Sequence, residues 1–561
     1  MANKELTKLF KDYWANSMEF SPSTATFLGV RKYNDRLEDL SYANEKKYLK
    51  FIREFRARLK KIPARNLNKQ ELLSKKILAR NFELFLEATR YPTRYLAIDQ
   101  MSGFHLHFLL LANVHPFKTK KDFNDFLKRL RAFCGQIIQV EKHLIAGLKK
   151  NWIITKPVIE AVIPQLKGLS ASPPGDSQFF QIPDKNLKNL KKGKKEIREK
   201  LLKIVSEEVI PGLKKLVEFL EKKYLPLSRN SVGFCGLPGG IDYYQLCIKS
   251  HTTTEYSADS IHEIGKKELK RIHAEMKKIK EKLGFKGKLL DFFYAMRNNK
   301  KMHYESRKEI ITDHRNLLNK MQKKLPLYFN RLPVNPFRVI PMEAYQEKAS
   351  PDAMYQPGNF KTGRKGTYFV NTYQPETRTR YTAESLAFHE AIPGHHLQTA
   401  LAQELKGIPE FRKCGGVNAF VEGWALYAEK LSREMGFMQS PEAQFGALSF
   451  EAWRACRLVI DTGLHAKGWT RSRAIKYFKK NTSLSEENIN VEVDRYLVMP
   501  GQALSYKLGE MFISSLRKKI EKKLGQLFDL KKFHDRLLSN GAIPLPFLAE
   551  IMEEWADTQK K

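Results

Sequence analysis

The residues best suited to chemistry lie in one short run, residues 388–398, which reads FHEAIPGHHLQ. A His-Glu pair followed by a second His on one helix can hold zinc and place a general base beside it. In the usual spacing the two His are four residues apart, but here Pro393 occupies that position and the next His residues stand at 395 and 396. Either the helix is interrupted to bring the His side chains together, or no zinc site forms.

Helix geometry shows why an interruption is needed. On an unbroken α-helix, His389 and His395 would be roughly 9 Å apart along the axis and about 120° apart around it. His389 and His396 would share a face but stand about 10.5 Å apart, whereas two zinc ligands each lie at about 2.0–2.1 Å from one ion. Pro393 clashes with the carbonyl of His389, and Gly394 permits backbone conformations closed to other residues. This pair therefore predicts a break that lets the His side chains converge.

A third ligand is expected from the next helical segment, residues 420–429. Glu422 follows His395 by 27 residues, which leaves room for a turn and an antiparallel helix that returns to the site. Two His and one Glu with an open fourth position are typical of catalytic zinc. Glu429 lies two turns further along and is the weaker candidate. The spacing leaves open whether His395 or His396 completes the set.

The elements that must position these residues are mostly helical. From residue 4 to about 223 apolar residues recur three and four positions apart, as in Phe126, Leu130 and Phe133, and this spacing predicts helices. A long basic helix is predicted over residues 257–282, with Thr252, Thr253, Thr254 and Ser257 as N-cap candidates.

The residue pattern changes from helical to strand-like between residues 333 and 375. Short β-branched and aromatic runs at 338–340 and 366–373 predict strands. Helix resumes after Thr382, an N-cap candidate, and this helix carries His389 and Glu390. We therefore expect a mainly α protein with a small β-sheet flanking the active-site helix.

Composition limits the class of protein. The chain has 561 residues, of which 42% are hydrophobic and 29% charged. It lacks the run of about 18 apolar residues that a membrane span requires, and its charged start does not resemble a signal peptide. Five scattered cysteines without a C-x-x-C pair favour reduced thiols and disfavour a cysteine metal site. These features predict a cytoplasmic protein.

The net charge of +38 is the other unusual property. Such a charge can indicate binding to nucleic acid or another anionic polymer. Here it comes mostly from lysines spread along residues 185–203 and 266–288, without the aromatic interleaving of single-strand binders. The pattern favours a solvated surface over nucleic-acid binding.

The two chemical segments, residues 388–398 and 420–429, resemble the bacterial family called domain of unknown function 885, which is grouped with zinc metallopeptidases of the gluzincin type. Other segments are similar to the family as well: residues 20–29, 236–244, 252–254, 367–372, 459–469 and 494–508. The resemblance spans nearly the whole chain. It implies one continuous family domain with a large multi-helix, metallopeptidase-like fold. Within it we expect an N-terminal helical lobe over 1–330 and a zinc-binding catalytic lobe over 331–561.

The resemblance also implies roles for individual residues. His389 and His395 would be zinc ligands, Glu422 the third ligand and Glu390 the general base. His396 is an alternative ligand or a group that supports one.

The matching segments nearer the C-terminus offer further candidates. His465 could stabilise the oxyanion of a tetrahedral intermediate, or it could simply end a helix beside Gly463. Tyr496 and Tyr506 flank a turn, and one phenol could donate to the same oxyanion, unless both are packing residues. Arg495 could receive a substrate carboxylate with two hydrogen bonds, or lie on the surface.

The reaction predicted from these residues is zinc-dependent hydrolysis of peptide bonds, with Glu390 as the base that activates water. Residues 366–373, if they form an edge strand, could hold an extended peptide by strand addition. One alternative keeps the zinc but hydrolyses small amides or esters. Another is a basic, non-catalytic protein that binds nucleic acid or another anionic polymer.

Overall fold

The computed structural model describes residues 3–343, 347 and 351–560. Over these residues the protein is mainly helical with one small sheet, which confirms the predicted fold class. The chain forms two compact units, Met1–Gly240 and Ile241–Lys561. Each unit is described by itself.

The second unit begins well before residue 331, the predicted start of the zinc-binding lobe. Helix Ala258–Lys282 packs along the largely buried helix Pro441–His465. His262 of the first contacts Thr462 of the second, with 2.8 Å between Nδ1 and Oγ1. The earlier helix groups with the C-terminal half because an amphipathic helix needs an apolar partner for its buried face.

The first unit is helical, and the predicted apolar stripe of Phe126, Leu130 and Phe133 is buried within it. Asn68 and Thr119 each cap a helix by accepting a hydrogen bond from the third helical backbone N–H. The α-helices of this unit are Lys4–Phe20 (α1), Pro22–Phe27 (α2), Tyr42–Lys61 (α3), Lys69–Ala88 (α4), Phe104–Val114 (α5), Lys120–Lys150 (α6), Lys156–Ala171 (α7), Gln178–Asp184 (α8), Lys194–Ile204 (α9) and Ile210–Phe219 (α10).

The second unit contains the remaining described helices. Ser257 caps α12 by accepting a hydrogen bond from the N–H of Ser260 at 3.1 Å, as predicted. The α-helices are Gly240–Thr252 (α11), Ala258–Lys282 (α12), Leu289–Asn298 (α13), Arg307–Lys324 (α14), Ala383–Glu390 (α15), His395–Glu404 (α16), Glu410–Cys414 (α17), Asn418–Glu434 (α18), Pro441–His465 (α19), Arg471–Asn481 (α20), Glu486–Val498 (α21), Leu504–Leu524 (α22), Leu530–Leu538 (α23) and Leu545–Gln559 (α24). In the described part of the chain, no helix is both long and apolar enough to cross a membrane.

The small sheet consists of Phe337–Pro341 (β1), Ala353–Gln356 (β2) and Gly366–Val370 (β3), in the order β1-β3-β2. Strand β3 pairs in parallel with β1 and antiparallel with β2. The prediction of an edge strand over 366–373 is therefore wrong, because both sides of β3 already have partners and the strand ends at Val370. Its side chains are mostly buried, as expected for a central strand that is covered on both faces.

Candidate metal centre

The helix that carries the candidate zinc ligands is interrupted where the sequence predicts. Helix α15 ends at Glu390 and helix α16 begins at His395. The Ile392–Pro393 peptide bond between them is cis. The N–H of His396 donates to the carbonyl of Ala391 at 3.0 Å and so closes the turn. The predicted break is confirmed.

Gly394 is required at this break because the backbone passes too close for a side chain. A Cβ atom at this position would lie 2.0 Å from the carbonyl oxygen of His389 and 2.3 Å from that of Phe388. The neighbouring turn is held from the other side by Trp424, whose Nε1–H donates to the carbonyl of Pro393 at 2.9 Å. The turn is thus tied to helix α18, which also carries Glu422.

A second close approach of two backbones positions helix α18. At Gly423, a Cβ atom would lie 2.5 Å from the carbonyl carbon of Gly509 on helix α22. Two glycines facing each other let the helices cross at backbone distance, which side chains would prevent. Glu422 is adjacent to this crossing and half-buried.

The break and the crossing bring three side chains together: His389, His395 and Glu422. One ligand atom from each lies within 4.8 Å of the other two. Glu422 Oε2 is 3.7 Å from His389 Nε2 and 3.4 Å from His395 Nε2. The structure therefore collects the two His and the Glu that the sequence proposes as ligands.

This donor set fits a zinc ion. Ligands at about 2.0–2.1 Å in a tetrahedron are separated by about 3.3 Å, close to the spacings of the Glu422 oxygen. That oxygen is buried and has no hydrogen-bond partner among the described residues. A buried carboxylate oxygen without a partner is costly, and a cation between it and the two imidazoles would remove the cost.

The charged groups of the site shift the pKa values of two of these residues, Glu422 and His389. Burial by itself raises the pKa of Glu422, but the two adjacent imidazoles outweigh burial and hold it well below the usual value. Burial lowers the pKa of His389, but Glu422 and Glu429 outweigh it and raise that pKa to about 9. Without a metal the site thus holds a proton, which metal binding would release.

Glu429 supports His389 from behind. His389 Nδ1 lies 2.8 Å from Glu429 Oε1. A carboxylate only accepts hydrogen bonds, so Nδ1 carries a proton and Nε2 is the nitrogen left to bind a metal. A carboxylate on the second nitrogen commonly orients a metal-binding His. The sequence suggested Glu429 only as a weaker ligand, although its position two turns after Glu422 on one helix face could have indicated this supporting role.

His396 points elsewhere. Its Nδ1 lies 2.8 Å from the hydroxyl of Tyr355 on strand β2, and its ring packs 4.6 Å from that of Phe337 at the start of β1. Burial lowers the pKa of His396 to about 4. His396 thus joins the motif helix to the sheet, and the geometry favours His395 as the second ligand.

We expect substitution of the two neighbouring His residues to have different effects on zinc binding. His395→Asn should weaken zinc binding by more than roughly 100-fold, because removal of a group that merely orients a ligand already costs roughly 10- to 100-fold. His396→Asn should keep the zinc and lose only the contact with Tyr355. Competition with a chromophoric chelator measures both affinities. Equal losses in the two variants would contradict this assignment.

Glu390 is the last residue of α15, directly after His389. It is half-buried, and its carboxylate makes no hydrogen bond or ion pair with any described residue. A general base must have a lone pair available for the proton it accepts. The position and freedom of this carboxylate suit that role, which stays a prediction.

The other predicted site residues lie in different surroundings. The ring of Tyr506 is nearly parallel to that of His389, with 6.4 Å between centroids and 9° between planes. Tyr506 also accepts a hydrogen bond from Arg495 Nη2 at 3.1 Å. Tyr506 therefore lies beside His389, and Arg495 lies beside Tyr506.

Tyr496 and His465 are packed more deeply. The hydroxyl of Tyr496 donates to Glu492 at 2.6 Å and accepts from Arg457 Nε at 2.9 Å. His465 ends helix α19 with its Nε2 2.9 Å from the carbonyl oxygen of Tyr496. These contacts are typical of supporting residues, and the predicted oxyanion role has more geometric support at Tyr506.

Comparisons with known proteins support the chain-wide resemblance. A model of the family described as bacterial protein of unknown function (DUF885) matches residues 22–552. The crystal structure of the putative lipoprotein from Colwellia psychrerythraea is similar to this chain, with a TM-score of 0.94 and 27% sequence identity over 99% of each chain. A putative lipoprotein of unknown function from Shewanella oneidensis has a TM-score of 0.78 and 18% identity over 98% of this chain and 99% of that one, a likeness of fold alone. No curated protein matches.

Proposed function

Because the chain belongs to the family of bacterial proteins of unknown function called DUF885, whose description assigns no activity, we propose a function from its own site. The protein is a zinc-dependent hydrolase of the gluzincin type, and its substrates are peptides. His389, His395 and Glu422 hold the zinc, and Glu390 is the general base.

One observation carries this proposal. The oxygen of Glu422 that lies 3.4 Å and 3.7 Å from the two imidazoles is buried without a hydrogen-bond partner among the described residues. Surface His and Glu side chains are solvated or paired, whereas these three are only 5% to 16% exposed and converge on one another. Glu390, whose carboxylate makes no hydrogen bond or ion pair with a described residue, follows the first ligand directly in the chain. Together the four residues provide three ligands and a base.

When bound, zinc would polarise a scissile carbonyl and lower the pKa of a water molecule to about 7. The protein's own side chains would move the protons. Glu390 would accept a proton from the attacking water and pass it to the leaving amine nitrogen. Tyr506 accepts a hydrogen bond from Arg495, so its own O–H proton can be donated to the carbonyl oxygen as negative charge develops there.

A peptide substrate is also compatible with the sheet. Since β3 is central, strand addition would use an outer strand, and β2 packs on helix α15. Tyr355 of β2 contacts His396, the residue after the second ligand. A peptide that extends β2 would therefore run beside the helix that ends in Glu390.

The proposal is tested by metal content and substrate range together. We expect about one zinc per chain in elemental analysis of protein dialysed against buffer with limiting zinc. Peptide hydrolysis should disappear with a chelator and return with added zinc. Dipeptides, longer peptides, small amides and esters are assayed side by side, so that activity on small amides or esters alone would favour the alternative reaction. A zinc content far below one per chain would refute the proposal.

The rival function, binding of an anionic polymer by the basic surface, has less support. Lys200 and Lys266, in the two lysine-rich stretches, pair with Glu196 and Glu263 at 2.6 Å and 2.8 Å. The rival predicts an affinity for nucleic acid that falls steeply with salt and does not depend on Glu390.

A further inference from the structure

We propose that this site recognises a free carboxylate at the end of its substrate, so that the enzyme acts on dipeptides or at the carboxyl end of peptides. The receiving group is the guanidinium group of Arg495 beside Tyr506, and that of Arg457 adds positive charge next to the same ring. This inference rests on the proposed peptidase function. It adds the substrate class, which the metal ligands alone do not determine.

The guanidinium groups of Arg457 and Arg495 lie next to the ring of Tyr506, which in turn lies beside His389. The Cζ atom of Arg457 is 4.1 Å from the centroid of the Tyr506 ring, and that of Arg495 is 5.9 Å from it. The same ring is parallel to that of His389 at 6.4 Å. Tyr506 therefore connects the candidate zinc ligand to both positive charges.

These charges exceed the negative charges that face them. We call Arg454, Arg457 and Arg495 the arginine cluster. Glu492 binds Arg457 at 2.9 Å and Arg495 at 3.4 Å. Glu429 lies 3.7 Å from Arg454 but is shared with His389. Among the described residues, two carboxylates thus lie within ion-pair distance of these three guanidinium groups, and a buried charge without a counter-charge is unfavourable.

Hydrogen bonding in the arginine cluster is incomplete as well. Arg457 is 2% exposed and Arg454 is 4% exposed. Arg457 Nη1, Arg454 Nε and the Nε1 of the adjacent Trp453 are buried and have no hydrogen-bond partner among the described residues. All three atoms are donors, so the cluster lacks hydrogen-bond acceptors among the described residues. A carboxylate supplies both the acceptor atoms and the missing negative charge.

A substrate can reach Arg495 from solvent. The side chain of Arg495 is 18% exposed, and Gln502 holds its Nη2 at 2.6 Å. One or two residues of extended peptide span roughly 3.5 to 7 Å, and the rings of Tyr506 and His389 are 6.4 Å apart. A carboxylate bound beside Tyr506 would thus belong to the first or second residue after the scissile bond. This spacing fits dipeptides or removal of residues from the carboxyl end.

The test compares each substrate with its C-terminal amide. For the wild type we expect kcat/KM to be roughly 10- to 100-fold higher for the free acid, the usual value of charge-assisted hydrogen bonds. Arg495→Gln should abolish this preference, mainly by raising KM for the acid, so that the ratio of kcat/KM for acid and amide falls to about one. The ratio is the readout, because Arg495 also donates a hydrogen bond to Tyr506 and its loss can change the rate on both substrates. This variant should fold because Glu492 keeps its pair with Arg457. Arg471→Gln, which removes the ion pair with Asp494, is the control and should keep the preference.

A second measurement does not depend on turnover. Binding of an N-acetyl amino acid and of its amide to the metal-free protein is compared by calorimetry, and only the acid should bind. If the wild type hydrolyses or binds acid and amide equally, the carboxylate subsite is refuted while the peptidase proposal stands. If zinc is absent and neither form is hydrolysed, the proposed function fails and this inference with it.

Discussion

Glu390→Gln is expected to lower kcat/KM for peptide hydrolysis by roughly 10²- to 10⁴-fold, the range that a positioned general base contributes. The substitution keeps the size of the side chain but removes the lone pair that would accept the proton. Glu390 is not one of the three converging ligands, so the variant should bind zinc as the wild type does. Steady-state kinetics and elemental analysis on the same preparation separate the two effects.

The matched control is Glu263→Gln, the same change in the other His-Glu pair of the chain. Glu263 lies on the exposed face of α12, where it pairs with Lys266, and its substitution should leave activity unchanged. Full peptide hydrolysis by the Glu390 variant would show that Glu390 is not the general base. Loss of zinc together with activity would instead assign Glu390 a structural part in the metal site.

Gly394→Ala is expected to destroy the metal site although it changes no ligand. The added methyl group would lie 2.0 Å and 2.3 Å from two backbone oxygens at the end of α15, so the helix end that carries His389 must move. Overpacking of this kind costs roughly 1–3 kcal/mol. Displacement of His389 should weaken zinc binding by more than roughly 100-fold, since loss of an orienting group alone costs up to that amount.

Thermal unfolding and chelator competition measure the two consequences of Gly394→Ala. Gly416→Ala is the control, because a Cβ atom there would meet only Val421 at 3.6 Å, an ordinary contact. It should change neither the melting temperature nor the zinc affinity appreciably. A Gly394 variant that binds zinc normally would show that the tight turn does not position the ligands.

Much of the local structure follows from the sequence. The helix predicted over residues 257–282 spans Ala258–Lys282 with Ser257 as its cap, and the strand predicted at 338–340 lies within Phe337–Pro341. Caps and apolar spacing act over a few residues, so they are visible in a short window. The central position of β3 was not predicted, because it depends on pairing with β1 and β2.

In the candidate site, too, some features follow from the local sequence and others depend on tertiary packing. Pro393 and Gly394 act on backbone within one helical turn, so the interruption between His389 and His395 could be predicted from their chemistry alone. Glu422 could be identified as a candidate ligand because the 27 residues after His395 suffice for a turn and a returning helix. Its approach to the two imidazoles depends on the crossing of α18 and α22, which no local pattern specifies.

The sequence by itself determined the residue types, the broken helix and the set of candidate ligands, because these depend on short-range sterics and on side-chain chemistry. The tertiary structure decided which candidates meet. Tyr355 engages His396 and thereby favours His395 as the ligand, while Glu429 reaches the far nitrogen of His389. These choices depend on side chains that are distant in the chain and become neighbours only when the helices and the sheet pack together.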